Sequence, residues 1–230
     1  RTWKDQVDSI RQCNAISGNE DNPDLVAFIG WEWTQAGPTP ETHYGHHNVI
    51  FKDYKEGQIP DRPIAAGGAL ANILRTQLAD VNRNLFLLDP LNRDYYWSFA
   101  DYLDAILSTP NCEEGIPSNY LPKDCYESAT TPGELYAKLD DWGFDVEVIP
   151  HGTTWGFYTP QAASWKEYTN TPDNIRPDYN SLVEIYSGHG NSEVLFDFLE
   201  VETDENGKMT CPEPTLNYLP SCHQAGVIIK

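Results

Sequence analysis

The apolar and polar positions of the chain alternate in a way that predicts strands and helices in turn. Asp24 to Thr34, DLVAFIGWEWT, is a nearly continuous apolar run with few breakers, the pattern of a buried strand in a parallel sheet. His46 to Asp53, HHNVIFKD, predicts a second strand. Gly68 to Val81 predicts an amphipathic helix, with Leu70, Ile73, Leu74 and Leu78 at helical spacing. Trp97 to Leu107 reads as helical too. A further helix starts where Thr131 caps, Pro132 fills the first turn and Glu134 completes a capping box, and it stops at Gly143. Asp145 to His151 is the third strand, and Ser181 to Gly190 is a fourth with its exit loop, followed by a helix capped by Asn191 or Ser192. Gly226 to Lys230 closes the pattern as a last strand. Strands alternating with helices predict an α/β fold with a parallel sheet or a barrel.

The stretch 54–144 lies between the second and third strands. It is too long for an ordinary connection and too rich in Tyr, Trp and Pro for a linker. It is expected to be an insertion that caps the fold and shapes substrate access. The aromatics and the arginine of DPLNRDYYWSF, Asp89 to Phe99, would hold an organic group, with plain packing as the alternative.

Polar groups gather at the strand ends: Glu32, His46, His151, then Glu184 and His189. In α/β sheets and barrels, ligands bind at the carboxyl ends of strands. Strand parity separates the histidines. His46 and Asn48 share one face of the second strand, while His47, Val49 and Phe51 share the other. His46 is therefore the better ligand, His47 is expected to pack or hydrogen-bond on the outer face, and His43 lies in the preceding loop. Glu32 stands between two tryptophans, and a buried carboxylate requires a cation, a metal or a proton. Glu32, His46 and His151 form an N/O donor set that suits Zn, Mn or Fe. Structural roles for the single residues remain the alternative.

Composition narrows the function classes. With 230 residues there is ample chain for a core. The net charge of −20 and the lack of a basic stripe exclude a nucleic-acid partner. No apolar run reaches membrane-span length. Of the 5 cysteines, Cys112 and Cys125 bracket one loop and Cys211 and Cys222 another, with Cys13 left over. Two local disulfides would place the protein in an oxidising compartment, the periplasm or outside the cell; free thiols are the alternative. Both chain ends read as the interior of a larger domain, so the chain is expected to be an internal fragment.

Four motifs in order, FIGWEWT, HHNVIF, VIPHGT and VEIYSGHGNSE, resemble an uncharacterised branch of the PHP superfamily, named for polymerase and histidinol phosphatase domains. The resemblance covers roughly residues 24–53 and 145–200. It implies a distorted (β/α)7 barrel, incomplete at both ends here and carrying the long insertion. It also implies a site for two or three divalent ions, Mn, Zn or Fe, with Glu32, His46 and His151 at matching ligand positions. His47 stands where the family has arginine and Gly152 where it has asparagine. The family's H-x-H and D-x-H ligand motifs do not occur in the sequence, so the remaining parts of the polypeptide would have to complete the barrel, and this piece alone would bind metal weakly or not at all. The implied activity is metal-dependent hydrolysis of a small-molecule phosphate ester. His189 would protonate the leaving group, and Glu184 and Glu193, with His47 and Asn48, would orient ligands or substrate. Sulfate-ester hydrolysis on the same site is one alternative, and a non-catalytic secreted binding domain is another.

Overall fold

A computed structural model of the chain describes residues 3–16, 18–19, 22–35, 37, 42, 44–76, 87–151, 173–182, 184, 186–187, 190–191, 202–210 and 213. Helix α1 (Trp3–Asn14) opens the fold, followed by β1 (Ile29–Gln35) and β2 (Gly45–Phe51). Strand β3 (Ile64–Ala66), α2 (Ala69–Thr76) and α3 (Arg93–Ser108) come next. Then follow β4 (Glu127–Ala129), α4 (Pro132–Trp142) and β5 (Val146–His151). Four short strands complete the described set: β6 (Tyr186–Ser187) paired with β7 (Gly190–Asn191), and β8 (Glu202–Thr203) paired with β9 (Met209–Thr210).

The fold is mixed α/β, with small antiparallel and parallel sheets. Its main sheet has the order β1-β2-β5, and both pairings are antiparallel. The expected parallel geometry is not found in this sheet. The physical reason is the connection. Residues 36–44 are too few for the crossover that parallel pairing needs, and β1 and β2 pair antiparallel, with the Tyr44 N–H on the Gln35 carbonyl at 2.8 Å beside the first pair. Among the described residues, a parallel ladder joins β3 to β4 in a separate sheet. No closed barrel forms among the described residues.

The apolar run before β1 is not a strand along its whole length. Leu25, Val26 and Phe28 are exposed. The buried Asn14 side chain holds Ala27 instead, accepting from its N–H at 2.7 Å and donating to its carbonyl at 3.0 Å. That clamp takes the backbone groups that strand pairing would otherwise use. Pairing begins at Ile29. At Gly30 the hairpin partner comes so close that a Cβ would lie 2.3 Å from the Val49 carbonyl oxygen, so only glycine fits there.

One face of the main sheet makes the core. Ile29 and Trp33, Val49 and Phe51, and Val146 and Val148 are buried on it. Helix α4 covers this core with Leu135, Tyr136 and Leu139, so the core draws on residues of the stretch expected to be a cap. Its ends follow the sequence closely. Thr131 Oγ1 accepts from the Glu134 N–H at 3.1 Å, Pro132 occupies the first turn, and Gly143 takes φ 69° at the C-cap. Glu134 reaches back one residue further than a standard capping box, accepting from the Thr130 N–H at 2.7 Å. Helix α1 is tied on through Trp3 Nε1 to the Pro60 carbonyl and Arg11 Nε to the Tyr54 carbonyl, both at 2.7 Å.

A charged cluster is buried beside α4. Arg62 donates to Glu127 from Nε at 3.0 Å and from a terminal nitrogen at 2.6 Å, and also to the Ser118 carbonyl at 2.8 Å. Ser118 Oγ donates to the same carboxylate, and Lys138 Nζ lies 3.5 Å from it. A carboxylate this deep is tolerable because every oxygen has a cation or a donor.

Cys112 and Cys125 form a disulfide with their Cα atoms 4.9 Å apart, as the loop spacing predicts, and Cys13 is an exposed thiol. Cys211, Cys222, the predicted helix after Asn191 and the predicted last strand lie outside the described residues. No helix among the described residues is long and apolar enough to cross a membrane.

Candidate functional site

The antiparallel register sets one polar row across the main sheet. Thr34 of β1 pairs with His46 of β2, and His46 pairs with His151 of β5. Side chains two apart on a strand share a face, so Glu32 joins the same row on β1. This face is opposite the core. The two imidazoles lie edge to face, with ring centroids 6.2 Å apart.

Each imidazole carries a carboxylate on Nδ1. His46 Nδ1 bonds to Glu32 Oε1, and His151 Nδ1 lies 2.8 Å from Glu184 Oε1. Thr34 Oγ1 donates to Glu32 Oε1 at 2.9 Å and sits 2.9 Å from His46 Nδ1. An ionised carboxylate only accepts, so the Nδ1 proton belongs to the ring and the neutral ring's lone pair is on Nε2. Partial burial raises the Glu32 pKa. The hydrogen bonds from His46 and Thr34 and the positive potential of His46 and His151 outweigh it and hold the carboxyl below its ordinary value.

Glu184 is brought to His151 by a second buried acid. Glu147 accepts from the Ser181 N–H and Oγ, both at 2.8 Å, and from the Leu182 N–H at 3.1 Å. Asn180 Nδ2 donates to the Val148 carbonyl at 2.7 Å, and the Val148 N–H donates to the Tyr179 carbonyl at 2.8 Å. The segment 179–182 is thereby stitched to β5. Sequence reasoning missed both Glu147 and Thr34. The signal was available: Thr34 is in phase with Glu32, and Glu147 with His151.

His47 lies on the opposite face, as parity requires, but that face is the core and not the outside. It is 1% exposed and meets the Trp33 ring edge to face at 5.4 Å. Burial, reinforced by the charge of His46, pulls its pKa down to about 3, which makes it a neutral packing residue at physiological pH. Asn48 is half-buried and paired in register with Glu32. His43, His189 and Glu193 lie outside the described residues.

By donor chemistry, the row fits a borderline divalent ion. It offers two imidazoles from adjacent strands, each oriented by a carboxylate at Nδ1, the arrangement that presents Nε2 to a metal. Among the described residues no three His, Cys, Asp or Glu side chains converge into a metal-holding group. The described residues therefore give no closed coordination shell.

A cleft of about 390 Å³ opens beside this row. Among the described residues β1 is the edge of its sheet, and the cleft lies along it, lined by Glu32 and Thr34 and by residues of β3, α2 and α3. The Gly68 N–H donates to Gln35 Oε1 at 3.1 Å where β1 meets α2.

Compared with protein-family models, with curated proteins and with solved structures, the chain gives no match.

Proposed function

We propose that this chain carries part of a metal-dependent hydrolase site acting on small-molecule phosphate esters. The observation that carries the reading is the pairing of His46 with His151 across two strands, each imidazole held by its own carboxylate on the sheet face opposite the core. The four motifs that resemble the PHP superfamily support it, since three of their ligand positions fall in or beside this row. The reading includes the distorted (β/α)7 barrel of that superfamily, to which other parts of the polypeptide would contribute strands and the H-x-H and D-x-H ligands.

His46 and His151 would hold Mn, Zn or Fe, alone or with Glu32, as one part of a site for two or three ions. A divalent ion in such a site lowers the pKa of a bound water and neutralises charge building on the ester oxygens. The chain's own part is positioning. Glu32 and Thr34 fix the His46 ring, and Glu184, anchored through Glu147, fixes His151. His189 stays the candidate acid for the leaving group, with Glu193 near it in sequence. Hydrolysis would break one P–O bond, place the water oxygen on phosphorus and return a proton to the leaving alcohol. A sulfate ester presents the same tetrahedral anion and is the second substrate class for this row. The Cys112–Cys125 disulfide favours the periplasm or the cell exterior over a reducing compartment.

The test is hydrolysis of 4-nitrophenyl phosphate and 4-nitrophenyl sulfate by the full-length protein with added Mn²⁺. Turnover that drops about a hundredfold in His151→Ala supports the reading. Inertness toward both esters in protein shown to hold metal would favour the non-catalytic binding domain.

A further inference from the structure

We propose that the cleft beside β1 is the subsite for a neutral aryl group of the ester, an inference that rests on the hydrolase reading of the neighbouring row. The cleft begins at Glu32 and Thr34, the two residues that hold His46. An ester whose anion sits over the histidines would therefore project its organic part into the 390 Å³ space.

The lining sets the chemistry of that part. Ala66 and Ala71 leave β3 and α2 without bulk where they face the cleft, and Tyr102 and Tyr126 supply aromatic surface. A lining that combines aromatic side chains with small alanines suits a planar group. Charge sets the rest. Among the described lining residues, only Glu32 and Arg75 are charged. Arg75 is committed elsewhere. Its guanidinium lies 3.9 Å from the Tyr126 ring centroid and donates to the Ile106 carbonyl at 2.7 Å, the Thr109 carbonyl at 3.0 Å and Asn111 Oδ1 at 2.8 Å. The guanidinium's donors are taken by neutral acceptors and its charge offsets that of Glu32, so the lining carries no net charge and favours an uncharged group. A sugar would need many hydrogen-bond partners, whereas Thr34, Gln35 and Tyr126 of the lining already bond within the protein. The occupant that fits is apolar, uncharged and flat.

The test uses the full-length protein and two probes, 2-naphthol for the cleft and Mn²⁺ for the row. In a fluorescence titration, wild type binds 2-naphthol, and Ala71→Phe, which fills the slot, weakens that binding about tenfold or more. Tyr102→Ala, a change at a half-exposed side chain that guards against a folding defect in the first variant, also weakens it. Both variants keep the wild-type Mn²⁺ affinity by calorimetry. Decahydro-2-naphthol, with the same carbon skeleton but not flat, competes poorly. Failure of wild type to bind 2-naphthol, or equal binding by both folded variants, would overturn the assignment. Variant-sensitive 2-naphthol binding in a protein that takes no Mn²⁺ would instead sink the metal reading while supporting the aryl cleft.

Discussion

Replacing Glu127 with alanine should cost more stability than any other single change at a charged residue described above. The carboxylate is 1% exposed and its partner Arg62 side chain 9%. Alanine removes the acceptor of two Arg62 hydrogen bonds and of the Ser118 hydroxyl, and it leaves a guanidinium uncompensated where water barely reaches. Breaking a buried pair from one side costs about 3–5 kcal/mol. At roughly 2–4 °C per kcal/mol for a chain of this size, the melting point should fall by about 10 °C. Urea unfolding followed by tryptophan fluorescence is a suitable assay, because the Arg62 guanidinium lies 5.8 Å from the Trp142 ring. Glu127→Gln keeps the shape and loses the charge, so its loss should be smaller, about 1.5–3 kcal/mol. The double change Arg62→Met with Glu127→Leu should recover most of the loss, since no buried charge then lacks a partner. A midpoint for Glu127→Ala within about 0.5 kcal/mol of wild type would show that the cluster is solvated and that its burial has been misjudged.

Two further outcomes follow from the same structure. His47 has a folded pKa of about 3, below its unfolded value, so its neutral form is favoured by folding and stability falls as the pH drops from about 6.5 toward 3. Denaturant midpoints should lose a slope of about 1.4 kcal/mol per pH unit in that window when His47→Asn replaces the titrating ring; an unchanged slope would contradict its burial. Removing the Cys112–Cys125 bridge, which spans 13 residues, by Cys112→Ser with Cys125→Ser should cost about 3 kcal/mol, read as an equilibrium unfolding shift that wild type also shows under reductant.

The sequence was most legible where the determinants are local. Thr131, Pro132, Glu134 and Gly143 carry the bounds of α4 within a dozen positions, and the Cys112–Cys125 loop carries its own closure. Parity separated His46 from His47 correctly, because alternation is a property of one strand. Which side was the core depended on Trp33 and Val148, which arrive from other strands, and so His47 was expected outside. Strand direction was misjudged for a related reason. A run such as DLVAFIGWEWT reads the same in either sheet type, and its exposed half is set by the Asn14 clamp, a contact 13 residues away. The Arg62–Glu127 cluster joins residues 65 apart and leaves no periodic trace. The Glu32, His46 and His151 row was anticipated as a list, with Glu184 as a residue that orients ligands; the place of Thr34 came only from the register, and the contact of Glu184 with His151 only from the fold.

Mn²⁺ calorimetry on the full-length protein probes the histidine row most directly. Wild type should bind, His46→Ala and His151→Ala should each weaken binding by about ten- to a hundredfold, and His47→Asn, on the core face, should leave it unchanged. Equal Mn²⁺ affinity in wild type and in both row variants would mean that the paired histidines of β2 and β5 are not a metal site.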